Sequence, residues 1–216
     1  IEINGHDDTK GLCVDISERI INEVADYHFS QSGDLKEFLL TDQFLVNTYK
    51  ARNTNLGYAL HEINRQVSGG QHSNELLNTE LFYSIAESIV ADQAIIYEQY
   101  SRLQFKKTET RQSLFRQLLE AREYMDAHLS DDIHLDQIIR NAFMSKYHFI
   151  RLFKATFILS PYQYILRKRL ESARVQLLGG SNVTETAFDA GYPDSSSFSK
   201  AFKAAFGVTP SSVKLK

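Results

Sequence analysis

The sequence predicts a mainly helical protein. Its C-terminal part is an all-α domain with two helix-turn-helix units joined by a long linker helix, and its N-terminal part is helical with a remnant of β-sheet. Three observations carry this expectation. Apolar residues recur at helical spacing from Ser17 onward. A 13-residue segment, FIRLFKATFILSP at 149–161, returns 49 residues later as FSKAFKAAFGVTP at 198–210. Each copy follows a short helical segment and a turn, which is the helix-turn-helix plan.

The 216 residues, 43% apolar and 24% charged, fit one or two ordinary globular domains. No apolar run is long enough to cross a bilayer and no signal-peptide pattern opens the chain, so a cytoplasmic protein is expected and no membrane partner. Cys13 is the sole cysteine, which excludes an intrachain disulfide or a cysteine metal site. The chain begins at Ile1 rather than Met, which points to a trimmed chain or a fragment. The net charge of −3 hides an asymmetry. Residues 1–110 hold 9 Lys/Arg against 17 Asp/Glu, whereas 111–216 hold 15 against 10. From Arg140 onward the ratio is 12 to 4, a net of +8, which points to an anionic partner for that part, nucleic acid first.

At the N-terminus, Ile1–Ile3 and Leu12–Ile16 read as two short strands, the tail of a sheet. Ser17 is an N-cap for a helix with a stripe at Ile20, Ile21, Val24 and Tyr27 or His28. A short helix around Leu35–Leu40 and another over Leu56–Val67, stopped by Gly69-Gly70, follow. A long helix is expected from about Ser73 to Leu103, with Leu77, Leu81, Phe82, Ile85, Ile89 and Ile96 on one broad face. It is either a core helix or one that pairs with its copy in a homodimer. The polar stretch QFKKTET (104–110) reads as a linker, with a domain boundary near 108. Thr110 then caps a helix to about His128, with Leu114, Leu118, Ala121 and Met125 inward.

In the 49-residue repeat, 6 of 13 positions are identical and Arg151 falls on Lys200. Packing alone produces similar amphipathic helices; a shared basic position, a shared FKA and a shared exit into Pro fit that explanation poorly. In the second unit Gly191 suits a left-handed turn position, Pro193 stops continuation, and Asp194 caps the following helix. Phe198, Ala201, Phe202, Ala205 and Phe206 form its buried back, with Ser196, Ser199, Lys200 and Lys203 on another side. In the first unit Phe149, Leu152, Phe153 and Phe157 face inward, and Tyr147, Ile150, Arg151 and Lys154 repeat the outward set. A small-or-basic front suits a DNA major groove, because short side chains let the backbone approach while Arg or Lys reaches bases or phosphate. Between the copies, Ser160 caps, Pro161 opens, and residues 161–178 form a linker helix about 27 Å long at 1.5 Å per residue. One of Arg167, Lys168 and Arg169 is expected to add a phosphate contact.

These segments resemble the AraC/XylS family of bacterial transcription regulators. AGYPDSSSFSKAFKAAFGVTP (190–210) follows the family signature, SKYHFIRLFK matches its first recognition helix, and YILRKRLESARVQLL its linker helix. The resemblance covers about 111–213. It implies a 1–108 regulatory and dimerisation region, the end of a cupin-like sheet plus helices. It further implies a 109–216 DNA-binding domain with helix-turn-helix units at about 133–157 and 183–206. The implied function is sequence-specific transcriptional regulation, as an activator, with two recognition helices in successive major grooves. Tyr147, Ile150, Arg151 and Lys154 would face one groove; Ser195, Ser196, Ser199, Lys200 and Lys203 the next. Implied partners are double-stranded DNA, RNA polymerase, a second copy of the chain, and a small-molecule effector whose pocket lies mostly upstream of Ile1. Departures from the family pattern are Phe143 at the turn glycine of the first unit, Ile139 at a small residue, Ile158 at a glycine, and Thr186 at an aliphatic.

No enzyme or cofactor is expected. His6, Asp7 and Asp8 in GHDDTKG read as a solvated loop without a second ligand cluster. His128 and His134, with Asp131, Asp132 and Asp136, read as capping and turn residues. A protein-interaction module using the same basic faces is the competing function.

Overall fold

The computed structural model describes residues 16–29, 33–40, 54–68, 79–131, 134–139 and 144–213. They are mainly helical, with no strand among them. The expected strand pieces at Ile1–Ile3 and Leu12–Ile16 lie outside the described residues, except Ile16, which is irregular. The elements are α1 (Glu18–Phe29), α2 (Gly33–Leu40), α3 (Asn55–Ser68), α4 (Thr79–Ser101), α5 (Thr108–Ala127), α6 (Leu135–Ile139), α7 (Lys146–Phe157), α8 (Pro161–Leu178), α9 (Val183–Asp189) and α10 (Ser195–Phe206). A 3-10 turn (Pro210–Ser212) follows. The chain divides into two compact units, Ile1–Glu98 and Gln99–Lys216.

In the first unit, α1 opens with the Ile20 and Ile21 N–H groups donating to Ser17 O. Val24, Ala25, Leu35, Leu39, Ala86 and Val90 form a buried cluster from α1, α2 and α4. The α1 stripe differs from expectation at its end. Tyr27 is 82% exposed and His28 turns to Glu87 at 3.4 Å, while the small Ala25 is buried beside Val24. On α4, Ile85 and Ile96 are buried as expected, while Leu81, Phe82 and Ile89 are half-buried and Leu77 lies outside the described residues. Asp92 of α4 is buried at the N-terminus of α3. Its carboxylate accepts from Asn55 N (3.1 Å), Asn55 Nδ2 (2.9 Å) and Leu56 N (3.0 Å). That placement serves orphan helix N–H groups and the positive end of the dipole together.

In the second unit, α5 starts earlier than Thr110: its first bond runs from Arg111 N to Lys107 O at 3.1 Å, with no side-chain cap. It buries Phe115, Leu118, Leu119, Ala121 and Met125, and Leu114 is half-buried. Phe115 meets Tyr100 edge-on at 5.5 Å. α8 has the expected start. Gln163 N donates to Ser160 Oγ (3.3 Å), Ser160 N donates to Gln163 Oε1 (3.0 Å), and Pro161 occupies the first turn, a capping box. α8, α9 and α10 enclose Leu170, Ala173, Leu177, Ala187, Ala190, Phe198 and Phe202. The unexpected Thr186 is wholly buried and satisfied, since its hydroxyl donates to Asn182 O at 2.8 Å.

Ile158 is the one described non-glycine residue with positive φ, at 69°. Its counterpart 49 residues on is Gly207, at 75°. Both are left-handed C-terminal caps, and their N–H groups return to Lys154 O and Lys203 O. The left-handed conformation costs an L-residue roughly 1–2 kcal/mol, more than the backbone entropy glycine loses on folding. Ile158 is 60% exposed, so little burial offsets that cost. Ile158→Gly is therefore expected to stabilise the chain by ~0.5–1 kcal/mol, read as a rise in thermal midpoint. A fall would mean that the isoleucine side chain carries a packing role.

Candidate nucleic-acid interface

The repeat in the sequence is a repeat in space. Ser145 caps α7 by accepting from His148 N at 3.3 Å; Asp194 caps α10 by accepting from Ser197 N at 2.7 Å. Phe149–Phe153 and Phe153–Phe157 lie 5.6 and 4.6 Å apart between ring centres; Phe198–Phe202 and Phe202–Phe206 lie 5.5 and 4.7 Å apart. Phe149, Phe153, Phe198 and Phe202 are fully buried. Each helix is thus rotationally fixed by the same aromatic ladder, so the residues opposite it are presented outward in both.

On α7, Tyr147 is 78% exposed, Arg151 and Lys154 are exposed, and Ile150 is half-buried rather than exposed. On α10, Ser196, Lys200 and Lys203 are exposed; Ser195 and Ser199 are half-buried. Ser195 Oγ lies 3.4 Å from Thr184 Oγ1, at the edge of α9. Ser197, which sequence reasoning did not single out, serves the cap: its N–H and hydroxyl both donate to Asp194. Gly191 sits at the turn with φ 79°. The corresponding turn of the first unit, with Phe143, lies outside the described residues; Ile139 is half-buried at the end of α6.

The cations fall into two groups. The side chains of Arg151, Lys154, Lys200 and Lys203 make no ion pair and no hydrogen bond among the described residues. Three of the four in the linker helix, Arg167, Lys168 and Arg169, have hydrogen-bond or ion-pair partners. Arg167 bonds Glu171 (3.1 Å) and Ala205 O (3.1 Å), and Lys168 pairs with Glu171 at 3.4 Å. Arg169 donates to Leu129 O (2.8 Å) and Asp131 O (2.6 Å), holding α8 to the turn after α5. Each of the three residues from which one phosphate contact is expected thus has a partner within the chain. Lys146, at the start of α7, pairs with Asp136 at 3.0 Å.

The two bonds from Ser197 hold the Asp194 carboxyl below the usual range, with Lys200 adding a smaller lowering. A carboxyl whose folded pKa is depressed contributes stability above its unfolded pKa and loses it as pH falls through the folded value. Asp194→Asn keeps a capping oxygen but cannot ionise. The stability difference between wild type and this variant is expected to shrink as pH drops through the acidic carboxylate range. A difference that stays constant there would contradict the capping account.

Elsewhere, His128 ends α5 with its ring stacked on Tyr124 at 4.1 Å, and His134 N donates to Gln137 Oε1 at the start of α6. Both are capping positions. Among the described residues no group of three or more His, Cys, Asp and Glu is placed to hold a metal. His6, Asp7 and Asp8 lie outside them. No helix among the described residues is long and apolar enough to cross a membrane.

Comparison with known proteins bears on this geometry. A helix-turn-helix domain family model matches residues 138–215. The chain is 35% identical over 89 residues to a probable transcriptional regulator, LumQ, of Photobacterium leiognathi, covering 40% of this chain and 36% of LumQ. It is 34% identical over 92 residues to the regulatory protein PocR of Salmonella typhimurium, covering 42% and 30%. The chain thus spans about a third of the length of these curated relatives. A crystal structure of a transcriptional regulator with an AraC-type DNA-binding domain, from Chromobacterium violaceum, is 26% identical. It covers 45% of this chain and 88% of that one, with a TM-score of 0.43. The segment 138–215, which holds the repeated helices α7 and α10, the linker helix α8 and the signature at 190–210, is a helix-turn-helix domain and resembles those of the AraC/XylS family.

Proposed function

We propose that this chain is a sequence-specific transcriptional regulator that sets α7 and α10 into successive major grooves of double-stranded DNA. One observation carries the reading: equivalent cations on the two repeated helices, Arg151 and Lys154 on one and Lys200 and Lys203 on the other, stand without an ion pair among the described residues. Arg167, Lys168 and Arg169 of the linker helix, by contrast, have partners within the chain. Tyr147 and Ile150 supply apolar contact to thymine methyls or sugars beside Arg151. Ser195, Ser196 and Ser199 supply short hydroxyl donors to phosphate or base edges.

The DNA-binding domain in this proposal covers 109–216, and the protein acts in the cytoplasm as an activator without a catalytic step. Residues 1–108 form the regulatory part, with homodimerisation through the segment near 73–103, where Ile95 of α4 is exposed. An effector for that part and RNA polymerase complete the expected partners.

The test is a salt-titrated binding assay with duplex DNA. Steep weakening with salt is expected, because phosphate neutralisation releases counterions. Absence of binding to any duplex at low salt would favour a protein-interaction role for the same faces. Arg151→Ala is expected to lower specific affinity by ~1–3 kcal/mol if Arg151 reads a base edge. An equal loss on all sequences would reassign it to phosphate, and no loss on any would remove it from the groove.

A further inference from the structure

Each recognition helix ends on a carbonyl that its own backbone leaves open, and an arginine from another element meets it. At the end of α7, the Ile158 N–H returns to Lys154 O and the Ser160 N–H is taken by Gln163. The Thr156 carbonyl receives Arg102 Nη1 at 3.0 Å. At the end of α10, the Gly207 N–H returns to Lys203 O, and the Ala205 carbonyl receives Arg167 Nη1 at 3.1 Å. Thr156 and Ala205 are equivalent in the 49-residue repeat. Phe157 and Phe206 are equivalent as well, and each carries a guanidinium over its ring: Arg122 at 5.2 Å from Phe157, Arg167 at 4.9 Å and Arg174 at 5.2 Å from Phe206.

The arginines themselves are not repeats. Arg102 follows α4 and Arg167 lies in α8, 65 residues apart rather than 49. Two unrelated elements therefore supply the same contact to the same place on the two helices. The final carbonyls carry the negative end of the helix dipole, so a cation there holds the helix end as well as filling an orphan acceptor. Arg102 is anchored on both sides by buried residues, Tyr100 and Leu103, and Thr156 is itself wholly buried. Neither arginine bonds its helix on the outward face that bears Arg151 or Lys200.

We propose that Arg102 and Arg167 are positioning residues, each fixing the end, and hence the groove angle, of its own recognition helix: Arg102 for α7 and Arg167 for α10. This rests on the DNA-binding reading above. It ties the orientation of α7 to the end of α4, a segment that precedes the family-like part of the sequence, and that of α10 to α8.

The test uses the full chain and a selected target duplex, together with versions in which the block read by α7 or the block read by α10 is scrambled. Arg102→Ala is expected to weaken binding to the intact target about tenfold. It should also remove most of the penalty for scrambling the α7 block while leaving the α10 penalty in place. Arg167→Ala should give the mirror image. Thermal unfolding of each variant, followed by circular dichroism, reports folding. If Arg102→Ala does not fold, Arg102→Met, which keeps the aliphatic stem and removes the donor, is measured by the same criteria. Unchanged discrimination, or equal loss at both blocks, would overturn the positioning role while leaving the DNA reading intact. A wild-type chain that binds no duplex would overturn both.

Discussion

Phe202→Ala is expected to destabilise the C-terminal unit by ~3–5 kcal/mol, the usual cost of emptying a buried aromatic site. Phe202 is fully buried among α8, α9 and α10, between Phe198 at 5.5 Å and Phe206 at 4.7 Å. Its ring also sets the rotation of α10. The cavity would join Leu170, Ala173, Leu177 and Ala187, all on rigid helices that cannot close the gap without moving α10 itself. Native domains hold only ~5–15 kcal/mol in total, so the variant should be partly unfolded at physiological temperature. Denaturant unfolding measures this. A loss below ~1 kcal/mol would mean that α10 is not docked through this ring.

Gly191→Ala follows at about 3 kcal/mol, by a different route. Gly191 has φ 79°, which costs an alanine ~1–2 kcal/mol. A Cβ there would also meet Arg169 Nη1 at 2.6 Å. That guanidinium cannot simply move, because it donates to Leu129 O and Asp131 O. Hydrogen bonds from a charged donor contribute ~1.5–3 kcal/mol each, so displacing it adds to the backbone cost. The turn glycine of the second unit thus guards a link between α8 and the turn after α5. A combined Gly191→Ala, Arg169→Ala chain separates the two terms: it should lose less than the sum of the single variants. Strict additivity would mean that the clash is not felt.

Much of the C-terminal architecture was legible because it rests on local chemistry. Pro161 with Ser160 opens α8, Asp194 opens α10, and the Phe ladder defines both buried faces. Such signals lie within a few residues of their effect. The repeat added long-range information, since whatever Phe198 and Phe202 do, Phe149 and Phe153 must also do.

What sequence reasoning missed depends on residues distant along the chain. The trio at 167–169 offered one phosphate contact, and its partners within the chain, Glu171, Ala205 O and the turn at 129–131, were not legible. Arg102 lay in a stretch read as part of the N-terminal region, and its partner is 54 residues away. Because Arg102 and Arg167 break the 49-residue register, no self-alignment exposes them. The place of Ser195 in the outward set, too, is qualified only by its neighbour Thr184, which belongs to the preceding helix.

Selection of bound sites from a random duplex library, with the full chain, shows whether α7 and α10 each read DNA. Two enriched blocks are expected, centred about one helical turn apart, about 10–10.5 base pairs. Arg151→Ala is expected to erase information in one block and Lys200→Ala in the other. No enriched sequence, or a single block insensitive to one of these two substitutions, would contradict insertion of both helices into DNA.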